Sequence, residues 1–296
     1  MITWWTVSLL ASVFLAVYVY ANQFLRLSSS VLMLYRGFGT AIVMLPFCIL
    51  FYDKFSFIFY ALCAVQGIGI SFIDNRYFRS AKVFGADVTS FMQPLTLFLT
   101  FVIWMFFKPH LFVEYMESPL KSLLIVLSLL GVVVSVLMMR KVKVNKKAFL
   151  YLLPCILIGA YLDNNNKLAL DSSQAAVMPT LIYYNMVSGL FAGLGTLIGF
   201  RGKLNKMKKA FEARIAIKGL FIIFSLSMLV FTKAYALMLT VNPAYVVAIN
   251  YLAPLWIVLF NYGRNFVVEK QVPINIDFKV MSLMVTSVIV LILSTR

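Results

Sequence analysis

Asp163, Asn164, Asn165, Asn166 and Lys167 stand in an unbroken run directly after the apolar stretch LYLLPCILIGA. On a helix, Asp163, Asn166 and Lys167 are spaced i, i+3 and i+4 and share one face. Asp163 and Lys167 can then pair, which lowers the cost of holding both near an apolar medium. Two readings stand. Either the helix ends at this run and its polar residues are loop, with Asp171, Ser172 and Ser173 starting the next segment, or the run lines a watery cavity. Asn22, Gln23 and Arg26 make a similar patch earlier in the chain, and a polar face repeated at matching places favours the cavity.

Arg36 is the strongest single candidate for contact with a ligand. It lies inside an apolar stretch, where a charge costs a few kcal/mol on insertion scales. Its planar guanidinium grips a carboxylate or phosphate through two parallel bonds. The competing reading is that it snorkels to the membrane interface. Gln66, Asp74, Asn75 and Lys233 are further polar groups in apolar surroundings, and Gln93 and Asn250 shortly precede Pro94 and Pro254. Tyr35, Tyr184, Tyr251 and Trp256 can supply aromatic walls, although packing between helices or against lipid accounts for them equally. Pro94 and Pro254 remove helical hydrogen bonds and read as kinks or hinges. Gly189, Gly193, Gly195 and Gly199 have the spacing of close helix contacts.

The elements that must position these residues are membrane helices. Of the 296 residues, 62% are hydrophobic and 12% are charged, about half the charged share of a soluble domain. The solvent for such a chain is lipid. The first apolar stretch lacks a basic leader and a small-residue cleavage motif, so it reads as a retained span. The net charge of +16 fits basic loops beside anionic lipid better than nucleic acid. Cys48, Cys63 and Cys155 sit in apolar stretches without metal-ligand spacing and read as small hydrophobes. His110, the one histidine, falls in a stretch read as a loop. These residue types leave little for hydrolytic chemistry, and an enzyme is not expected. No phosphate-loop motif GxxxxGK[ST] occurs. Neither cofactor nor metal is expected.

A helix needs about 20 apolar residues to cross the hydrocarbon core. Ten such runs are expected, at 3–22, 31–51, 56–75, 86–107, 120–138, 148–168, 176–200, 215–238, 243–263 and 277–295. The fold class is therefore an all-α integral membrane protein. The chain also repeats itself weakly. NQFLRLSS at 22–29 faces NKLALDSS at 166–173, LYR at 34–36 faces YYN at 183–185, and Pro94 faces Pro254, all in the same order. Two five-helix repeats follow, 1–144 and 145–296, forming one membrane domain. An odd number of spans per repeat inverts the second copy. Inverted repeats are typical of secondary transporters, with substrate bound between them near the midplane. Arg36 then has Asn185 as its counterpart, so the halves are chemically unequal.

The stretch YRGFGTAIVMLPF resembles the arginine-bearing second span of the drug/metabolite transporter superfamily, in its EamA branch. SAKVFGADVTSFMQPLTLFLTFVIW and TKAYALMLTVNPAYVVAINYLAPLWIVLF are similar to that branch's pattern of small residues leading to proline and an apolar run. The resemblance covers nearly the whole chain and implies a ten-helix carrier of small organic molecules in a bacterial inner membrane. The family often has a glutamate after the proline run; Lys108 and His110 stand near that place here, and Glu269 falls late.

These readings converge on a secondary transporter for a small polar metabolite bearing a carboxylate, such as an amino acid or a derivative. Arg36, Asn185, Asp163, Asn166, Lys167, Asn22, Asp74, Lys233, Tyr251 and Trp256 are the expected substrate-binding residues. Its partners are that small molecule and the bilayer, with no nucleic acid. An exporter of drugs or apolar cations and a non-transporting scaffold are the alternatives. Arg36 speaks against the first and charges inside spans against the second. Orientation divides the two lines of reasoning. Arg140, Lys141, Lys143, Lys146 and Lys147, with Arg201, Lys203, Lys206, Lys208, Lys209 and Arg214, make two basic loops that belong in the cytoplasm. Both termini then lie outside, whereas the resemblance implies termini inside.

Overall fold

The computed structural model describes residues 2–25, 27–84, 94–139, 146–199, 213–267 and 277–295. These residues are helical almost throughout. We number the helices α1 (Trp4–Leu25), α2 (Ser29–Leu34), α3 (Thr40–Leu50), α4 (Phe57–Val83), α5 (Pro94–Phe107), α6 (Pro109–Glu117), α7 (Pro119–Met139), α8 (Lys146–Asp171), α9 (Val177–Gly199), α10 (Ala213–Leu239), α11 (Pro243–Asn250), α12 (Ala253–Val267) and α13 (Phe278–Ser294). A π-helical turn, Tyr35–Gly39, joins α2 to α3.

Local sequence explains many of the starts. Ser28 caps α2 by accepting from the Val31 amide, and Ser56 caps α4 through Phe59. Asn242 accepts from the Ala244 amide ahead of α11, with Pro243 in the first turn. Asp277 serves the amides of Lys279 and Val280 at α13. Each side-chain oxygen satisfies a donor that the helix itself leaves open, worth about 1 kcal/mol.

Among the described residues, eight helices are long and apolar enough to cross a membrane. The number is nine if α5 and α6, bent by 105° at Lys108, make one broken span. The protein is thus a multi-pass helical membrane protein, embedded in lipid. Its outer surface agrees: Ile42, Ile49, Leu50, Leu120 and Phe224 are exposed, as a lipid-facing surface requires.

Several sequence expectations change. The segment around His110 is helix α6 rather than loop, because Pro109 occupies a first-turn position where its missing N–H costs nothing. The ninth expected run is present as one apolar span, Pro243–Gly263, with a turn at Tyr251 and Leu252 between α11 and α12. The last run becomes a helix of 17 residues, α13. The fourth expected run is described only from Pro94 onward, and the expected repeat boundary at 144/145 and the two basic loops lie largely outside the described residues. The polar run 163–167 does not end its helix. It lies inside α8, which continues to Asp171.

The interior is built by α9 packed on α4 and on the α2–α3 span, by α1 on α10 and by α8 on α4, while α7 pairs with α13. Close backbone approach makes the first of these contacts possible. A Cβ on Gly37 would strike the backbone of Gly193, one on Gly189 would crowd the Gly37 carbonyl, and one on Gly195 would collide with Ser71. The glycine spacing in α9 thus serves helix packing against two neighbours.

Candidate functional site

A cavity of about 380 Å³ opens inside the bundle, within the usual size range for small-molecule sites. Each wall is one face of a helix. From α4 come Gln66, Ile70, Ile73, Asp74 and Tyr77; from α8, Gly159, Leu162, Asp163 and Asn166; from α10, Leu226, Leu229, Val230 and Lys233. The α8 and α10 sets share the spacing i, i+3, i+4, i+7, which is one stripe of an α-helix. Tyr184, Asn185, Ser188, Gly189 and Ala192 form the α9 wall, and Arg36, Thr40, Thr96, Val247, Asn250 and Tyr251 complete the lining with Leu15.

Two ion pairs stand on these walls. Arg36 Nη1 donates to Asp74 Oδ2 at 2.6 Å, joining the π turn to α4. Lys233 Nζ donates to Asp163 Oδ1 at 2.9 Å, joining α10 to α8. The four side chains are 29%, 15%, 27% and 17% exposed, so each pair is partly withdrawn from water and still open on one side. Pairing offsets much of the cost of a charge in low dielectric. The π turn carrying Arg36 adds one residue to the helical repeat, a distortion that recurs at functional sites.

Polar groups flank the ion pairs. Tyr184 donates to the Asn166 carboxamide oxygen. Asn165 Nδ2 bonds both the Leu62 carbonyl at 2.9 Å and Gln66 Oε1 at 3.1 Å, tying α8 to α4. Tyr251 and Thr96 hydroxyls approach at 3.4 Å across α5 and the α11–α12 turn. Among the described residues, three buried oxygens of the lining have no hydrogen-bond partner: Thr40 Oγ1, Asn185 Oδ1 and Asn250 Oδ1.

Of the residues expected to bind substrate, Arg36, Asn185, Asp163, Asn166, Asp74, Lys233 and Tyr251 line this cavity. Lys167, Asn22 and Trp256 do not. Lys167 is buried and pairs with Asp171 at 2.7 Å, which corrects the expected Asp163–Lys167 pair: the i+4 partner toward the helix end was available, and Asp163 faces α10 instead. Asn22 is half-buried near the end of α1, away from the cavity. Trp256 donates its ring N–H to Ser12 Oγ at 2.8 Å and joins α12 to α1. Pro254, expected to remove mid-helix hydrogen bonds, is not mid-helix, while the residues before Pro94 lie outside the described ones and leave that expectation untouched. Pro254 lies in the first turn of α12, just past the turn at Tyr251 and Leu252, and Pro94 is the first described residue of α5. Among the described residues, Pro46 and Pro154 lie inside helices. Asn75 and Tyr35 also fall outside the lining, and Gln93 lies outside the described residues.

The sequence reading missed Tyr77, Thr96, Thr40 and Ser188 on the cavity wall. Tyr77 was within reach, being three residues after Asp74 on the same face as Gln66. Ser188 bonds its own helix at the Tyr184 carbonyl, as any membrane serine can, so nothing marked it out.

No group of three or more histidine, cysteine or acidic residues that can hold a metal ion occurs among the described residues. A scan against models of protein families finds no match to the chain, and a search of curated proteins finds none either. Helices and cavity together define a multi-pass membrane protein with a charged, partly enclosed internal site.

Proposed function

We propose that this chain is a secondary transporter that moves a small polar, carboxylate-bearing metabolite, an amino acid or a derivative, by alternating access. The observation that carries this reading is the cavity with one ion pair from each half of the chain, Arg36–Asp74 and Asp163–Lys233. Charges inside spans are expensive and mark pathways for ions or polar cargo. Arg36 uses one guanidinium nitrogen for Asp74, which leaves donors for a substrate carboxylate. Asp163 can meet an amine.

The packing pattern supports two inverted repeats of the EamA type. Pairing α1 with α8, α2–α3 with α9, α4 with α10, α5 with α11–α12 and α7 with α13 maps the largest contacts onto one another, while the α8–α10 contact has no comparable α1–α4 counterpart. The α1–α10 contact matches α8–α4, α1 with α11–α12 matches α8 with α5, and α4–α9 matches α10 with the π turn and α3. The remaining large contacts, α9 with the α2–α3 span and α7 with α13, map onto themselves. A ten-span count follows if α5 with the residues before it, and α13, each cross the bilayer. A scaffold has no use for such a cavity. An exporter of apolar cations would favour an unpaired carboxylate, and both carboxylates here have cationic partners.

The test is uptake into proteoliposomes over a panel of labelled metabolites, with the folded state checked by a melting curve. Concentration-dependent flux of a carboxylate-bearing compound is expected. Folded protein that moves no compound in the panel rejects the reading.

A further inference from the structure

The structure assigns a binding site for an anionic phospholipid to the seam between the C-terminal end of α4 and the N-terminal end of α8, with Arg76 and Arg79 holding the lipid phosphate. The site lies on the outer surface of the bundle and does not depend on the transporter reading. On α4, Val65, Ile68, Phe72, Arg76, Arg79 and Val83 follow the spacing of a single helical stripe. Val65, Ile68, Phe72 and Val83 are exposed, and so is Arg79, so the stripe faces lipid. It turns from apolar to cationic at Arg76, as a phospholipid turns from acyl chain to phosphate.

Helix α8 meets the stripe at that point. The Arg76 guanidinium lies 4.9 Å from the centre of the Tyr151 ring and 5.5 Å from that of Phe72. Lys147 stands one turn before Tyr151 on the same face of α8. The contact brings the two helix ends to one face of the membrane, whatever the number of spans between them. The competing reading is an arginine that only snorkels to water. Three cations at one seam repel one another, however, and the acid nearest in sequence, Asp74, is turned to Arg36. Arg76 belongs to none of the ion pairs among the described residues. Ring faces hold a guanidinium by its charge and leave its N–H edge open, and that edge matches a phosphate through two parallel bonds. An anionic headgroup supplies the missing countercharge, and its acyl chain has Phe72, Ile68 and Val65 to lie along. Basic pockets between membrane helices bind headgroups of this kind.

Lipid competition on the full-length protein in detergent tests this. Equal amounts of dioleoyl-phosphatidylglycerol and dioleoyl-phosphatidylcholine are offered, and the bound lipid is read by native mass spectrometry. A basic residue beside an anionic lipid is worth about fivefold in affinity, so phosphatidylglycerol is expected to be retained over phosphatidylcholine by about fivefold or more. Arg76→Gln with Arg79→Gln should reduce that preference to below about twofold. Lys54→Gln, an equal charge change at an exposed position ahead of the other end of α4, should leave it intact. If the double variant fails to fold, Arg79→Gln alone, at its exposed position, carries the test and should at least halve the preference. Equal retention of both lipids by the wild type, an unchanged preference in the folded variant, or an equal loss in Lys54→Gln each overturn the site. Melting curves separate lipid from free anion. Phosphatidylglycerol should raise the melting temperature of the wild type, and inorganic phosphate should not. A shift with phosphate that matches the lipid's and vanishes in the arginine variant would assign the cations to a soluble anion and overturn the lipid.

Discussion

Asp163 and Lys233, 70 positions apart in the chain, meet at 2.9 Å and tie α8 to α10 on the cavity wall. Removing one partner leaves the other charge half-buried and unpaired. Lys233→Ala and Asp163→Ala are each expected to lower stability, by more than the ~1 kcal/mol of an exposed pair and less than the roughly 3–5 kcal/mol of a fully buried one. The exchange Asp163→Lys with Lys233→Asp should recover part of the loss. Thermal melts of the four proteins check this, and a double mutant no better than the singles would remove the pair as a stabilising contact.

Arg36 is held differently. Arg36→Lys keeps a cation beside Asp74 but loses the planar fork. We expect Arg36→Lys and Arg36→Ala to insert into membranes at near wild-type levels and to lose at least tenfold in transport, about 1.4 kcal/mol. Initial rates in proteoliposomes at matched protein content measure this. Wild-type rates in Arg36→Lys would discard the two-bond role, and wild-type rates in both would take Arg36 out of the site.

Gly37 and Gly193 let the α2–α3 span and α9 touch backbone to backbone. Gly37→Ala puts a methyl group against main chain, which has no side-chain freedom to yield. A loss of about 1–3 kcal/mol is expected, the usual cost of overpacking. Gly263→Ala is the control, since nothing lies within 4 Å of its added Cβ, and it should be neutral or slightly stabilising through helix propensity. Melting curves on both variants decide. Equal behaviour would mean that the α3–α9 contact tolerates separation.

Much of the site was legible because apolar stretches make polar residues conspicuous. Arg36, Asp74, Asp163, Asn185 and Lys233 stand out against such neighbours for a physical reason, the cost of placing them there. Their partners were not legible. Asp163 has Lys167 four residues on, and a helical rule joins them; only the packing of α10 against α8 reveals that Lys233 takes Asp163 and Lys167 turns to Asp171. Helix ends suffered similarly. The run from Asp163 to Lys167 looks like a terminus by polarity, yet Asn165 finds Gln66 and the Leu62 carbonyl across α4, so the helix continues at little cost. Trp256 illustrates the opposite error, an aromatic near proline that proves to hold α12 against Ser12 of α1.

The last expectation concerns orientation. Helices α8 and α9 are each long enough to cross, so the basic segment before α8 and the one after α9 lie on the same side whatever the rest of the chain does. Short loops rich in lysine and arginine stay in the cytoplasm, which places that side inside. From there to the C-terminus lie α10, the α11–α12 span and α13. If α13 crosses as well, three crossings put the C-terminus outside. The N-terminus follows it if α1, the α2–α3 span, α4, the α5 span and α7 all cross. The N-terminal assignment is the more exposed one, because α5 and α6 bend by 105° and a re-entrant course there would move it. The resemblance to EamA-type carriers implies the reverse, termini inside. Alkaline phosphatase fused after Thr295 should be active, and fused within 141–145 it should be inactive. A fluorescent protein that matures only in the cytoplasm should give the complementary pattern. Phosphatase activity at 141–145 with none at the C-terminus would mean that the basic loops face outward.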